Sequence, residues 1–368
     1  MSLVVTGGCG FIGTNFVQHW LRTEAEPIIN IDCLSYASNP TNVLINSDKY
    51  EFYQVDLNST NDISDILSKS NPRAVIHFAA ETHVDNSIHN PSRFIQSNVC
   101  GTASLLSACN TYWNSLNKTK KSKFVFVNVS TDEVYGSLPK TASPFTESDL
   151  LKPSNPYSAS KAAAEHIARS YWKTYGFPVV STRCSNNFGP HQHDEKLIPS
   201  AVSALVNSKK IGIYGDGTQI REWIYVNDHV SAINCVLSRG AIGEVYNVGS
   251  GCELQNIQLA REICLYFDAI RCTQPGWHFK HHIDFIPDRL GHDFRYAMDS
   301  SHISRTLGWV AQNSFNESIR STIDWHIQRN TFRQNDNCVH IQSDQWSRSQ
   351  STPRHLMQRR LESETSAR

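Results

Sequence analysis

The 368-residue sequence has no excess of charge of either sign, since 34 lysines and arginines balance 34 aspartates and glutamates. A chain-wide electrostatic attraction to nucleic acid or to an anionic membrane is therefore not expected, and any anion site must be local. The sequence also lacks an apolar run of the ~18 residues that a membrane span needs. Its first residues already have the pattern of a strand, so we expect no signal peptide.

The sequence contains cysteines, but none of them occur in closely spaced pairs. The ten of them are scattered singly, with no Cys-x-x-Cys pair and no Cys/His cluster at zinc spacing. Several, such as Cys9 and Cys184, lie in glycine-rich or apolar segments where a small residue fits. The pattern predicts reduced thiols in a cytoplasmic protein and no bound metal. With 39% hydrophobic and 18% charged residues, the composition is globular and excludes collagen-like, coiled-coil and wholly disordered classes.

Apolar runs of strand length alternate with segments of helical periodicity in the first half of the chain. Near-continuous apolar strands separated by helices indicate a parallel sheet that is covered on both faces. The sequence therefore predicts a doubly wound α/β fold of the Rossmann type. The predicted strands are 3–6, 28–32, 50–56, 74–79, 123–129 and 179–183, and the helices between them are 11–22, 61–69, 91–113 and 156–175.

The pattern changes after the sixth predicted strand, where single helices alternate with loops rich in Asn, Gly, Pro and His. We interpret 1–183 as a cofactor-binding Rossmann domain, with segments near 225–250 returning to it. Residues 184–330 are expected to form a smaller substrate-binding lobe, and the Gln-, Ser- and Arg-rich residues 331–368 a flexible polar tail. The predicted helices of the second lobe are 196–207, 226–238, 255–267, 300–307 and 315–330.

A glycine-rich segment follows the first predicted strand and opens the first predicted helix. Gly7, Gly10 and Gly13 are spaced so that backbone amides can approach a pyrophosphate at the helix N-terminus. Asp32 ends the second strand, where a carboxylate can accept the ribose hydroxyls of NAD and repels the 2′-phosphate of NADP. The two features together predict NAD as the cofactor. Asp56, at the end of the third strand, could hold the adenine edge or merely cap the strand end.

A phenol and an ammonium group, Tyr157 and Lys161, lie four residues apart on the helix after the fifth strand. A free tyrosine has a pKa near ~10 and is a poor base at neutral pH. A nearby cation and the positive charge of a nicotinamide both favour the phenolate. Tyr-x-x-x-Lys also occurs by chance as a surface helix pair, but after a glycine motif and five strands it predicts a catalytic base.

These residues resemble the extended short-chain dehydrogenase/reductase family, in the glycine motif, Asp32, His77-Phe-Ala-Ala80 and the Tyr157/Lys161 pair. Within that family, Ser130-Thr-Asp-Glu-Val-Tyr-Gly136 is similar to the signature of the dTDP-glucose 4,6-dehydratases. Further motifs carry the same resemblance, which extends from about residue 1 to 330. They are Glu81-Thr-His-Val-Asp85, Arg183-Cys-Ser-Asn-Asn187, Glu195-Lys-Leu-Ile-Pro199, Gln219-Ile-Arg-Glu-Trp223 and Asp288-Arg-Leu-Gly-His-Asp293.

The resemblance implies an NAD-dependent lyase that removes water from a nucleotide sugar. Oxidation of C4 to a ketone acidifies the C5 hydrogen, after which water can leave C6 and the hydride can return to C6. The resemblance further implies that Tyr157 is the base at the C4 hydroxyl and that Thr131 orients that hydroxyl. Lys161 would hold the ribose and lower the tyrosine pKa. Asp132 would be the acid at C6 and Glu133 the base at C5, although adjacent carboxylates at a strand end could instead cap a helix.

The resemblance also implies further contacts to cofactor and substrate. Beside the residues already named, the implied cofactor contacts are Phe11, Ile12, Leu57 and Ala79. The implied substrate contacts are His83, Asp85, Asn186, Asn187, Lys196, Arg221, Asn256, Arg289 and His292. Arginines and histidines of this kind are also common as solvated surface charges or as structural residues.

Three positions, Asn86, Phe188 and Leu290, depart from the family pattern. The resemblance implies dTDP-glucose as the substrate, but Asn86 and Leu290 adjoin sugar and phosphate contacts, so UDP-glucose stays the alternative. A 4-epimerase or decarboxylase on the same fold is the nearest rival, but it does not need the Asp132–Glu133 pair. A silent NAD-binding scaffold is a further alternative. Apolar faces on helices 91–113 and 156–175 are expected to form a homodimer interface, as in the family.

Overall fold

A computed structural model of the chain describes residues 2–24, 26–43, 47–271 and 278–331. The strands are β1 (Ser2–Thr6), β2 (Ile28–Asp32), β3 (Tyr50–Gln54), β4 (Pro72–His77), β5 (Val125–Thr131), β6 (Val179–Cys184), β7 (Asn186–Phe188), β8 (Ile211–Tyr214), β9 (Ile220–Tyr225), β10 (Val245–Val248), β11 (Glu253–Gln255) and β12 (Ile283–Ile286). The α-helices are α1 (Phe11–Thr23), α2 (Thr60–Ser70), α3 (Val84–His89), α4 (Pro91–Phe94), α5 (Gly101–Ser115), α6 (Lys118–Lys121), α7 (Pro156–Tyr175), α8 (Leu197–Val206), α9 (Val226–Arg239), α10 (Asn256–Arg271), α11 (Ser301–Leu307) and α12 (315–331).

Seven strands form the central sheet in the order β10-β6-β5-β4-β1-β2-β3, and every neighbouring pair is parallel. The chain first builds outward from β1 through β2 and β3. It then returns to the other side of β1 with β4 and continues in the opposite direction. The reversal between β1 and β4 leaves a crevice at the carboxyl ends of these strands, where ligands bind in sheets of this kind. This is the predicted Rossmann fold.

Alternating side chains of the buried strands divide the core into two layers. On β1, Leu3 and Val5 belong to one hydrophobic cluster, which includes residues of α1 and α9. Val4 belongs to the cluster on the opposite face, with residues of α2 and α5. Because both faces are covered, the strands are apolar almost throughout, which is why sequence alone reveals them.

A second lobe is built on two small sheets, β11-β9-β7 and β12-β8. Its own core contains Phe188, Trp223 and Phe267, with apolar side chains from α8 and α10. The segment expected near 225–250 lies with the first lobe, since α9 contacts α1 and β10 pairs with β6. This arrangement brings strand ends from both lobes to one side of the molecule.

Two local features differ from the sequence-based expectations, and a third expectation falls outside the described residues. The predicted helix 91–113 is interrupted by a π-helical stretch, Ile95–Cys100, between α4 and α5. Strand β3 ends at Gln54, so Asp56 lies in the following loop, where its carboxylate accepts the backbone N–H of Asn58 at 2.8 Å. The expected tail, apart from residue 331 at the end of α12, lies outside the described residues.

None of the described helices combines the length and the apolar character that crossing a bilayer requires. Over the same residues, no group of three or more His, Cys, Asp and Glu side chains is arranged to hold a metal ion.

Candidate active site

Two glycines of the turn between β1 and α1 lie where a side chain would not fit. Gly7 has φ +74°, and a Cβ there would lie 2.6 Å from the backbone of Ala79. A Cβ on Gly13 would lie 2.2 Å from the carbonyl oxygen of Gly7. The turn leads directly into α1, whose first residue follows Gly10. Its free N-terminal amides fit the pyrophosphate of a dinucleotide.

The carboxylate of Asp32, at the end of β2, is fixed by three hydrogen bonds. Its Oδ2 accepts the backbone N–H of Cys9 at 3.0 Å. Its Oδ1 accepts the backbone N–H of Leu34 at 2.8 Å and the hydroxyl of Ser38 at 2.9 Å. A carboxylate offers about four acceptor sites, so about one remains for a ribose hydroxyl. The negative charge also disfavours an additional phosphate at this position.

A cavity of about 650 Å³ connects this turn to the predicted catalytic residues. Its volume lies in the range of ordinary ligand and cofactor sites. The predicted residues on its wall are Gly7, Gly10, Phe11, Ile12, Gly13, Asp32, Asp56, Leu57, Ala79, Thr131, Asp132, Glu133, Tyr157, Lys161, Asn186, Asn187 and Lys196.

Helix α7 presents Tyr157 and Lys161 to this cavity from its first two turns. Asn155 caps the helix, since its side chain accepts the N–H of Ser158 at 2.9 Å while the Ser158 hydroxyl accepts the N–H of Asn155. The Lys161 ammonium donates to the carbonyl oxygen of Val129 on β5 at 2.8 Å. Burial lowers the pKa of Lys161 to about 8. Both functional groups are therefore held by secondary structure rather than by mobile loops.

The surroundings of Tyr157 differ from the sequence-based expectation. Burial raises the pKa of its phenol well above the ordinary range, and the nearby Glu133 and Asp132 carboxylates raise it further. A hydrogen bond with Thr131 acts in the opposite direction. The phenol pKa is therefore raised by burial and by two carboxylates, where the sequence led us to expect that Lys161 would lower it. A cationic ring bound beside the phenol would favour its ionised form.

The Thr131-Asp132-Glu133 segment lies where β5 ends and a short 3₁₀ turn, Asp132–Tyr135, begins. The hydroxyl of Thr131 donates to Asp132 Oδ1 at 3.1 Å and accepts the backbone N–H of Glu133 at 3.3 Å. Thr131 is the residue before the turn, so its side chain caps it. Among the described residues, Asp132 Oδ2 has no hydrogen-bond partner although it is buried.

The two adjacent carboxylates have different electrostatic surroundings. Burial, together with the charges of Glu133 and Glu222, raises the pKa of Asp132 well above its ordinary value. Burial also raises the pKa of Glu133, but there the cations Arg221 and Lys196 oppose it. A neutral carboxylic acid can therefore lie beside an ionised carboxylate, which is the arrangement that paired acid and base catalysis needs.

Six predicted substrate residues do not lie on the cavity wall: His83, Asp85, Arg221, Asn256, Arg289 and His292. Two of them bind each other, and a third binds a backbone carbonyl of its own lobe. Arg289 donates to Asp85 at 2.6 and 3.0 Å across 204 residues of sequence. Arg221 donates to the carbonyl oxygen of Asp293 at 2.9 Å.

The remaining members of this set have other surroundings. His83 is 3.9 Å from Glu195, which precedes the wall residue Lys196. His292 contacts Asp288 at 2.6 Å, and Asn256 is the first residue of α10. These residues therefore lie beside the described cavity rather than on its wall, and their contact with substrate stays a prediction.

Three residues near the site were not assigned a role from the sequence. Glu195 accepts a hydrogen bond from the Tyr36 hydroxyl at 3.0 Å and lies 3.7 Å from the Lys196 ammonium. Tyr296 lies under the Arg221 guanidinium, 4.3 Å from it, and the Tyr214 hydroxyl donates to Asp85 at 3.0 Å. Glu195 belongs to a motif that the sequence singles out, whereas nothing in the sequence marks the two tyrosines.

Comparison with known proteins adds to this geometry. The family model for GDP-mannose 4,6 dehydratase matches residues 4–322. A dTDP-glucose 4,6-dehydratase of Haemophilus influenzae is 43% identical over 332 residues, which cover 89% of this chain and 98% of the relative. This chain belongs to the dTDP-glucose 4,6-dehydratase family.

Solved structures of the family have the same fold. A dTDP-glucose 4,6-dehydratase of Streptomyces venezuelae, solved with NAD bound, is 37% identical, with a TM-score of 0.81 and coverage of 90% of this chain and 98% of that chain. A UDP-glucose 4-epimerase of Thermus thermophilus, also a complex with NAD, is 26% identical, with a TM-score of 0.76 and coverage of 89% and 99%. The fold is thus shared beyond the dehydratases, and the catalytic side chains must distinguish the reactions.

Proposed function

We propose that this protein dehydrates dTDP-glucose to dTDP-4-keto-6-deoxyglucose. The reaction oxidises C4, removes the C5 proton and the C6 hydroxyl as water, and returns the hydride to C6. NAD, when bound, accepts the hydride from C4 and later supplies it to C6, so none is consumed. The cofactor would occupy the glycine-rich turn and the ribose site beside Asp32.

Tyr157 would take the proton of the C4 hydroxyl. Its position on the first turn of a capped helix, facing the cavity, supports this role. Thr131, in hydrogen-bonding contact with Tyr157, would orient the same hydroxyl. Lys161, fixed on Val129, would hold the ribose of the cofactor.

The acid–base pair is the observation that carries this proposal. Asp132, whose pKa burial and neighbouring carboxylates raise, would give its proton to the departing C6 hydroxyl. Glu133, with Arg221 and Lys196 favouring its ionised form, would remove the C5 proton. Each positioned acid or base typically contributes ~10²–10⁴-fold to a rate. An epimerase or decarboxylase needs neither group at these positions.

We further propose that fixed positive charge in the second lobe holds the substrate diphosphate. The Arg289 guanidinium uses Nε and Nη2 for Asp85, so other N–H donors remain for a phosphate oxygen. The diphosphate contacts proposed are Lys196, Arg221, Arg289, Asn187 and Asn256, the sugar contacts are His83, Asp85 and Asn186, and His292 would lie near the nucleoside.

UDP-glucose is the alternative substrate, since thymine differs from uracil by one methyl group, worth ~1–3 kcal/mol in an apolar pocket. The test incubates the purified protein with each nucleotide sugar in turn and identifies the products by mass spectrometry. Loss of water from dTDP-glucose at the higher kcat/KM is the expected result. Faster turnover of UDP-glucose would make UDP-glucose the substrate. A product of unchanged mass would refute the dehydratase activity.

We also propose that the protein is a homodimer that acts in the cytoplasm. The outer face of α7 exposes Ala159, and the neighbouring π-helical stretch exposes Ile95, so an apolar surface is available. All eight cysteines in the described part of the chain are free thiols, which fits a reducing compartment.

A further inference from the structure

A buried polar network lies behind the catalytic residues and connects the two segments that carry them. Arg183, on β6, donates from Nε to both carboxylate oxygens of Glu165 on α7, at 3.1 Å each, and its Nη2 contacts the same carboxylate. Its Nη1 donates to the hydroxyl of Tyr135 at 2.5 Å. Tyr135 is the last residue of the 3₁₀ turn that carries the carboxylate pair. One guanidinium therefore joins the catalytic helix to the catalytic turn.

The other side of Tyr135 is fixed by β10 and by the loop before α7. Its hydroxyl donates to Asn247 Oδ1 at 2.7 Å, and Asn247 donates in turn to the carbonyl oxygen of Phe145 at 3.0 Å. The ring of Phe145 is stacked on that of Tyr135, with centroids 4.7 Å apart. The hydroxyl both accepts and donates, so the side chain has one satisfied orientation.

The turn has fewer other attachments than α7. Besides the network, it is held by hydrogen bonds from Glu133 N–H to the Thr131 hydroxyl, from Gly136 N–H to the Glu133 carbonyl and from Lys152 N–H to the Val134 carbonyl. Val134 also packs with Ala162 of α7 and with Met298. Helix α7 is independently fixed by its capping box, by the bond from Lys161 to β5 and by packing against α5. Loss of the network is therefore expected to displace the turn more than the helix.

We propose that Arg183, Glu165 and Tyr135 are positioning residues that hold the carboxylate pair at its working distance from Tyr157. The inference rests on the proposed function, in which Tyr157 acts in C4 oxidation and the pair acts in the elimination that follows. Positioning must be precise, since a displacement of about 1 Å can cost ~10²-fold in rate. A buried ion pair by itself contributes little net stability, which also favours a positional role.

Tyr135→Phe tests the inference, because it removes one hydroxyl and keeps the stacked ring. We expect the net dehydration rate to fall by at least about tenfold, with KM nearly unchanged. Exchange of the C5 hydrogen with deuterated water should fall with it. The single-turnover rate of C4 oxidation should stay within about twofold of wild type, so that bound reduced nicotinamide accumulates and its absorbance is visible during turnover.

Tyr112→Phe is the matched control. Its hydroxyl is also buried and donates to the carbonyl oxygen of Pro72 at 3.0 Å, but it lies on α5 away from the cavity. This variant should lower the melting temperature and leave the ratio of oxidation to elimination unchanged. Glu165→Gln, which weakens the ion pair at constant size, should show the same accumulation of reduced nicotinamide as Tyr135→Phe.

The two possible failures are distinguishable. A wild-type enzyme that dehydrates its substrate while Tyr135→Phe slows oxidation and elimination equally, or slows neither, would overturn this inference alone. A wild-type protein that oxidises neither dTDP-glucose nor UDP-glucose at C4 would overturn the proposed function, and this inference with it.

Discussion

At the scale of the residue, burial and neighbouring charge give adjacent carboxylates different tasks. Asp132 is 2% exposed and has Glu133 and Glu222 as electrostatic neighbours, so its pKa is raised. Glu133 is less buried and lies among cations that oppose the effect of burial on its own pKa. The sequence could predict that both matter. The family resemblance implies Asp132 as the acid and Glu133 as the base, but the sequence could not supply the electrostatic reason, because Glu222 is distant in sequence.

Substitution of each carboxylate should interrupt a different step. Asp132→Asn is expected to permit C4 oxidation and C5 exchange but to slow departure of the C6 hydroxyl by ~10²-fold or more, so that bound NADH accumulates. Glu133→Gln should abolish C5 exchange while leaving the first oxidation intact, and Tyr157→Phe should block both. Absorbance of reduced nicotinamide and deuterium incorporation at C5 measure these steps. Carboxylate variants that dehydrate at the wild-type rate would refute the assignment.

Asp132→Asn should also raise the melting temperature near neutral pH. Because the pKa of Asp132 is raised in the folded state, the folded protein holds a proton that the unfolded chain has already released above about pH 4. The free energy of unfolding of the wild type therefore falls as the pH rises above about 4. Asparagine cannot ionise, so the variant does not lose this free energy. The gap in melting temperature between variant and wild type should widen as the pH rises above about 4.

The control for this pH dependence is Asp216→Asn. Asp216 is exposed, and hydrogen bonds from Thr218 lower the pKa of its carboxyl. Its substitution should lower the melting temperature slightly or leave it unchanged at neutral pH. A gap for Asp132→Asn that narrows as pH rises would contradict the account.

At the scale of the element, the sequence is most informative where short-range spacing decides the structure. The four-residue spacing of Tyr157 and Lys161 places both on one face of α7, and alternation of apolar segments predicts the strands. The π-helical stretch within 91–113 and the pairing of Asp85 with Arg289 were not predictable. The first needs the packing of α5 against its neighbours, and the second joins residues 204 positions apart.

The cap of α7 should affect both stability and turnover. Asn155→Ala removes the hydrogen bond to the Ser158 N–H, and such a change typically costs about 1 kcal/mol. Because Tyr157 is in the first turn, kcat should also fall several-fold. The side chain of Asn117 caps α6 in the same way, since it accepts the N–H of Lys120 at 3.0 Å. Asn117→Ala removes this cap and should leave kcat unchanged. Equal kcat values for the two variants would contradict the role given to this cap.

At the scale of the whole molecule, the fold brings two lobes to one crevice. The sheet reversal between β1 and β4 positions the cofactor turn, and β5 and α7 carry the catalytic groups to the same cavity. This much is predictable from strand order and motifs. The location of the six proposed substrate residues beside this wall could not be predicted, because it depends on how the second lobe contacts the first.

The proposed homodimer can be tested at its exposed apolar face. Ile95 is 53% exposed beside α5, and a charge there should oppose association. Light scattering of wild type should give twice the chain mass, and Ile95→Glu should shift it toward the monomer. Leu265→Glu changes a comparable apolar residue, 59% exposed on α10 of the second lobe, and should leave the dimer intact. A monomeric wild type would refute the proposal.

The central claim is that hydride leaves C4 and returns to C6 of the same sugar while Asp132 and Glu133 remove water between the two transfers. The most direct test uses dTDP-glucose labelled with deuterium at C4, in ordinary water, with the product analysed by NMR and mass spectrometry. The expected product is a 4-keto-6-deoxy sugar that carries the deuterium in its C6 methyl group. A product that still carries the deuterium at C4, with no water lost, would contradict it.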